Sequence, residues 1–200
     1  MIDRLNRLAR KVPTWPLYLG ALIPPAWYFY AGVTGQLGVD PVKAMEHKIG
    51  LLGLQVLIAS LCVTPLRRHL GLNLIKFRRA LGLIAFFYIV LHLTVWIVLD
   101  VQIISQIIAD IYKRPYITIG MAGFVLMIPL AATSYNAAIR KLGRNWRQLH
   151  KLVYPAVLLG GVHFVMLRKG WQLEPLLYVA VIVVLLLLRV PMRRKVMRPT

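Results

Sequence analysis

Acidic residues are scarce in this chain: six of its 200 residues, against 25 lysines and arginines. A single cysteine, Cys62, excludes an intrachain disulfide and leaves a small side chain for packing at mid-span. No Cys-x-x-Cys-His run is present, so any haem is held without covalent attachment; no Gly-x-Gly-x-x-Gly or Walker loop is present, so no nucleotide fold is built in. No pair of carboxylates falls in the middle of an apolar run, as a proton or ion pathway would need; Asp100 and Glu174 sit at run ends. A basic-aromatic module outside the apolar runs is also missing, so the net charge of +19 does not point to nucleic acid.

What the chain has in excess is apolar sequence. It is 59% hydrophobic with a mean hydropathy of +0.68, and its apolar residues fall in blocks. A hydrocarbon core of about 30 Å needs about 20 helical residues at a 1.5 Å rise. Six blocks meet or approach that length: Leu17–Val33, Ile49–Leu66, Ala80–Leu99, Tyr116–Ser134, Leu149–Leu167 and Leu173–Leu188. Little chain is left over. The expected fold is therefore all-α, a polytopic six-helix transmembrane bundle forming one domain over residues 1–200. The N-terminus has basic residues and then an apolar run, but Pro24-Pro25 and Trp27–Tyr30 occupy the place of a small-residue cleavage site. It reads as a retained first span.

Charge orients the bundle. With the N-terminus cytoplasmic, the inner segments 1–13, 67–79, 135–151 and 189–200 carry 4, 5, 5 and 5 Lys or Arg. Only Lys43, Lys48, Lys113, Arg114, Arg168 and Lys169 fall outside, whereas of the acidic residues only Asp3 is inside. This positive-inside pattern predicts cytoplasmic N- and C-termini, with the basic excess serving topology and lipid headgroups. The segment Val101–Tyr112 places Ile104, Ile107, Ile108 and Ile111 at i, i+3, i+4, i+7, an amphipathic pattern suited to the outer interface or the bundle mouth. Prolines predict kinks in spans 1 (Pro24-Pro25) and 5 (Pro155). Trp15, Trp27, Trp96, Trp146 and Trp171 fall near span ends as an aromatic belt would. No internal repeat is visible.

The residues with the most chemistry are His92 and His163, each deep in its own apolar run. An ionisable group at such depth marks a functional site. His92 lies 12 residues past Ala80 and His163 lies 14 past Leu149, so both sit ~18–21 Å from the inner edge of the core, in spans running the same way. Two imidazoles at matched depth fit a flat metal cofactor with one on each face. Gly160 and Gly161, a turn before His163, would let such a group approach closely. The competing structural role is hydrogen bonding between helices.

His150 lies at the inner mouth of span 5, about 140° around an ideal helix from His163. A second haem there would want a matching histidine on span 3, where Arg78-Arg79 stand instead. His47 opens span 2 on the outer side, followed by Gly50 and Gly53, and is placed to touch the outer cofactor's edge or act as a spare ligand. His69, between Arg68 and Leu70, is expected to be solvated. The inner arginines can hold an anionic group such as haem propionates or a flavin phosphate.

Several strings together resemble a known family: Val63-Thr64-Pro65-Leu66-Arg67-Arg68; Arg78-Arg79-Ala80-Leu81-Gly82-Leu83 leading to Tyr88 and Leu91-His92-Leu93; Arg114-Pro115-Tyr116; and Trp146-Arg147-Gln148-Leu149-His150-Lys151-Leu152-Val153-Tyr154 with His163 following. Over essentially the whole chain these are similar to the MsrQ (YedZ) family, haem-binding membrane subunits of bacterial methionine sulfoxide reductase systems within the ferric-reductase-like transmembrane group. The resemblance implies an inner-membrane cytochrome b with haem b on His92 and His163, and His150 as the candidate ligand of a second haem. It also implies an association with FMN, to which no residue here is assigned. Electrons would come from the quinone pool or a cytosolic flavin reductase and pass to a periplasmic molybdopterin-containing catalytic subunit that repairs oxidised envelope proteins. Such a chain is an electron-transfer subunit rather than the catalytic one. Two alternatives share the same spans: a self-sufficient haem/flavin reductase of the ferric or quinone type, and a transporter whose histidines relay protons.

Overall fold

The computed structural model describes residues 1–168 and 172–189, and among them every regular element is helical. A basic helix α1 (Ile2–Lys11) is followed by α2 (Trp15–Gly20) and α3 (Ile23–Val33), then by the long α4 (Pro41–Leu70) and α5 (Arg78–Val95). α6 (Ile104–Lys113) leads to α7 (Pro115–Ala132); the short α8 (Asn136–Leu142) and α9 (Arg144–Leu149) lead to α10 (Val153–Leu167) and α11 (Leu173–Leu187).

Four helical stretches are long and apolar enough to cross a membrane: Pro41–Leu70, Ile75–Val101, Pro115–Ala132 and Arg144–Leu167. The other two expected spans differ. The first is broken at Ala21-Leu22, and the Pro24-Pro25 pair sits in the opening turn of α3, where missing N–H groups cost no helical bond. The last, Leu173–Leu187, has 15 residues, short of a full crossing. Trp171 and the basic segment 190–200 lie outside the described residues.

Local chemistry explains the boundaries. The Asp40 side chain accepts the Lys43 N–H at 3.1 Å and Pro41 follows as the first helical residue, so α4 starts eight residues before the apolar run does. It ends on Gly71 in the left-handed conformation (φ 69°), with Arg67, Arg68 and His69 in its last turn to offset the exposed carbonyls. His69 is exposed, as expected. Span 5 is interrupted by a tight 3-10 turn over His150–Leu152, and Pro155 lies just past it, in the first turn of α10. α5 ends in a π-helical turn, Trp96–Val101.

Two antiparallel pairs organise the bundle, α4 with α5 and α7 with α10, and α11 packs on α10. Leu57, Leu61, Ala85, Val157 and Ile182 form the buried centre. At the end of the bundle that the charge pattern predicts to be the inner one, α1 is tied to the α4–α5 connection: Asn6 Nδ2 donates to Gly71 O at 3.0 Å, Asn73 N–H donates to Asn6 Oδ1 at 2.8 Å, and Lys76 Nζ donates to Arg10 O at 2.7 Å. α6 confirms the amphipathic pattern of its segment, with Ile104 and Ile108 exposed.

Two of the belt tryptophans are not belt residues. Trp96 is 8% exposed, and Trp146 turns inward, its indole N–H donating to Thr133 O at 3.0 Å. Trp15 and Trp27 are exposed as a belt requires. Gly161 also differs from expectation: a Cβ there would meet Ile182 Cδ1 at 3.0 Å and Val179 Cγ2 at 3.2 Å, so it admits α11 rather than a cofactor. Gly161→Val should cost about 1–3 kcal/mol by overpacking. The expected result is a lower thermal midpoint in detergent, while Gly20→Ala, with no atom within 4 Å of its added Cβ, leaves the midpoint in place.

Candidate cofactor site

His92 on α5 and His163 on α10 come together across the bundle, with ring centroids 6.3 Å apart and ring planes at 75°. Both line one cavity, in the half that the charge distribution assigns to the outer side, about 200 Å³ in volume with the two imidazoles projecting into it. Its walls are apolar, with Leu51, Leu54, Ile89, Phe124 and Phe164 among them, and its outer mouth carries Lys43, Glu46, His47, Asp100 and Arg114. His47 is thus at the edge of the site, and Gly160 lines it.

The protonation pattern of the pair follows from its hydrogen bonds. His92 Nδ1–H donates to the backbone carbonyl of Glu46 at 2.9 Å, and His163 Nδ1–H donates to that of Tyr116 at 2.7 Å. A carbonyl only accepts, so each ring carries its proton on Nδ1 and keeps the lone pair of Nε2 free. That is how a metal-binding imidazole is prepared: one nitrogen anchored to an acceptor, the other open.

The donor set also says which kind of metal group suits the site. Among the described residues no cluster of three or more His, Cys, Asp or Glu side chains is placed to hold an ion. Two imidazoles alone do not complete the coordination shell of a bare cation. They do complete that of an iron already held in a macrocycle, which lacks only its two axial ligands. With bonds of about 2.0–2.1 Å to each nitrogen, imidazoles on opposite sides of one metal have ring centres roughly 6 Å apart. The separation here matches, so the residues present fit a haem.

A second cavity, about 480 Å³, lies on the inner side. Leu57 and Met127 line both cavities, and Phe86 of the inner wall stacks on Phe124 of the outer one (centroids 5.9 Å, planes at 3°). His150 is here, stacked on Trp146 with centroids 3.8 Å apart, its Nδ1–H donating to Trp146 O at 3.1 Å. Its Nε2 is 3.5 Å from Ser134 Oγ, whose hydroxyl donates to Leu130 O at 2.6 Å. Among the described residues no second histidine lines this cavity. Arg78, Arg79, Arg147 and Lys151 line it, with no carboxylate among its described lining residues, and Arg79 Nη1 donates to Asn136 Oδ1 at 2.7 Å.

The backbone partners of the two central histidines, at Glu46 and Tyr116, carry no mark in the sequence. A main-chain carbonyl has no residue-type signature; only its position in the packed pair reveals it. For the protein without cofactor, ¹⁵N spectra of the imidazoles should show His92 and His163 as the Nδ1–H tautomer. A protonated Nε2 at either would contradict the geometry.

The chain matches the family model described as ferric reductase like transmembrane component over residues 48–161, a stretch that holds His92 and His150 and stops just short of His163. It is 52% identical over 176 residues to the protein-methionine-sulfoxide reductase heme-binding subunit MsrQ of Brucella ovis, covering 88% of this chain and 80% of that one. The proteins of the same description from Brucella canis and Brucella suis match to the same extent. No solved structure matches it.

Proposed function

The chain belongs to the ferric-reductase-like transmembrane family and, within it, to the MsrQ heme-binding subunits, and from that membership we propose that it is a haem b electron-transfer subunit of the bacterial inner membrane. It passes electrons to a periplasmic, molybdopterin-containing methionine sulfoxide reductase subunit. The observation that carries this reading is the facing pair His92 and His163, each with Nδ1–H anchored and Nε2 free, at a separation that suits one iron.

His92 and His163 are the axial ligands in this proposal. The haem supplies a one-electron couple, and with both axial positions taken by imidazole the site favours electron transfer over binding of O₂. The apolar walls would exclude water, and His92 on α5 and His163 on α10 would hold the haem through its iron. His47 sits at the outer mouth, where it would touch the cofactor's edge or serve as a spare ligand. Reduction of one methionine sulfoxide to methionine and water takes two electrons and two protons, so the subunit must deliver two electrons in succession to its partner.

Electrons enter from the cytoplasmic side, from the quinone pool or a cytosolic flavin reductase, and the inner cavity is the receiving site. A second haem there would have His150 as its one imidazole ligand. FMN is the other candidate, with Arg78, Arg79 and Arg147 to hold its phosphate. From the inner cavity the path crosses the layer of Leu57, Met127 and the stacked Phe86–Phe124 pair to the outer haem. The topology completes the scheme: a single domain, with α2 and α3 together as a first span, α11 as a sixth, and both termini in the cytoplasm as the lysine and arginine distribution requires.

Purified in mild detergent from haem-replete cells, the protein should show a reducible low-spin b-type spectrum. His92→Ala or His163→Ala should abolish the main haem signal, and His69→Ala should leave it intact. A colourless wild type would overturn the proposal, and a His92→Ala variant with full haem and an unshifted spectrum would overturn the ligand assignment.

A further inference from the structure

Each of the two imidazoles rests on a glycine. A Cβ built at Gly50 would lie 2.8 Å from His92 Nδ1, 3.1 Å from its Cε1 and 3.3 Å from its Cγ. A Cβ at Gly120 would lie 2.8 Å from His163 Nδ1, 3.0 Å from its Cε1 and 3.3 Å from its Cγ. The same three ring atoms appear in the same order, so both rings approach their glycines in the same pose. In both places the carbonyl that accepts the Nδ1–H is four residues earlier, Glu46 before Gly50 and Tyr116 before Gly120.

Helix geometry links the two facts. The carbonyl of residue i already takes the N–H of residue i+4 and keeps one free lone pair, and the side chain of i+4 stands over that lone pair. Only a residue without a Cβ lets an imidazole in. We propose that Gly50 and Gly120 are positioning residues that hold the haem-ligating imidazoles, one from each antiparallel helix pair, in register with the iron. This rests on the haem reading above. The bundle's other interhelical glycines face aliphatic neighbours: Gly53 meets Ile89 Cδ1 at 2.7 Å, and Gly123 meets Leu159 Cβ at 3.4 Å. Those glycines let helices pack, while Gly50 and Gly120 admit a ligand.

A methyl group at either position must push the ring off its carbonyl, since the imidazole is tethered to its own helix. Two consequences follow. Nε2 moves from its place on the metal, and the ring loses the acceptor that raises its basicity. Loss of such an outer partner typically costs about 10–100-fold in metal affinity. A less basic ligand also stabilises the ferric state less, so the midpoint potential should rise.

The test uses the full-length protein in detergent. Gly50→Ala and Gly120→Ala should each bind haem about 10–100-fold more weakly and raise the midpoint potential of the haem that remains. Gly161→Ala, crowded against Ile182 and Val179 of α11 and not against the cavity, should keep both at wild-type values. If the Gly50 and Gly120 variants keep wild-type affinity and potential, or if Gly161→Ala shifts both as they do, the assignment is overturned. Should Gly50→Ala fail to accumulate, Gly120→Ala on the other helix pair carries the same test, with the same two outcomes. A wild type that binds no haem would instead sink the haem reading itself.

Discussion

An imidazole inside an apolar bundle must satisfy two nitrogens, and the rest of this structure follows from how the two central histidines do so. Each places one nitrogen on a helix carbonyl that is already in use and leaves the other free. An unmatched polar group in such apolar surroundings costs several kcal/mol. The carbonyl route requires a second helix in close contact, and each histidine lies on one member of an antiparallel pair whose other member supplies the carbonyl. It also requires that the contact be made at a residue with no side chain. The packing of α4 on α5 and of α7 on α10 is therefore part of the site, since separating either pair would free a ring to turn and lose its aim.

Much of this was legible in the sequence. The apolar runs locate the long helices because a bilayer needs a fixed length of them, and equal distances from cationic flanks bring His92 and His163 to one level. Helix ends were less legible: Asp40 and Pro41 extend α4 well beyond its apolar run, since capping answers to hydrogen bonds rather than hydropathy. Trp96 and Trp146 looked like interface residues but serve the interior, because a residue near a span end can face inward as easily as outward. Gly160 and Gly161 stood out beside His163, yet the glycines that touch the imidazoles are Gly50 and Gly120, on helices distant in sequence. A one-dimensional reading sees what is next to a residue along its own helix; it does not see what another helix brings against it.

The two cavities differ in a way that suits a directed path. The outer one has two imidazoles and a mixed-charge mouth. The inner one has a single imidazole, a stacked indole and four cationic side chains without carboxylates. A cationic surround stabilises an anionic or reduced guest, whereas an apolar one with two neutral ligands does not add charge of its own. Only a thin layer with the Phe86–Phe124 stack at its centre separates them. The basic residues that line the inner cavity belong to the same set whose distribution predicts the chain's orientation.

The ring planes of His92 and His163, set at 75°, give the account its most direct test. The electron paramagnetic resonance spectrum of the oxidised protein reports the relative orientation of two axial imidazoles. Near-perpendicular rings on one haem should give a strongly anisotropic low-spin signal with a large maximal g value. A high-spin signal, or the rhombic low-spin signal of parallel rings, would contradict ligation of one iron by this pair as it stands.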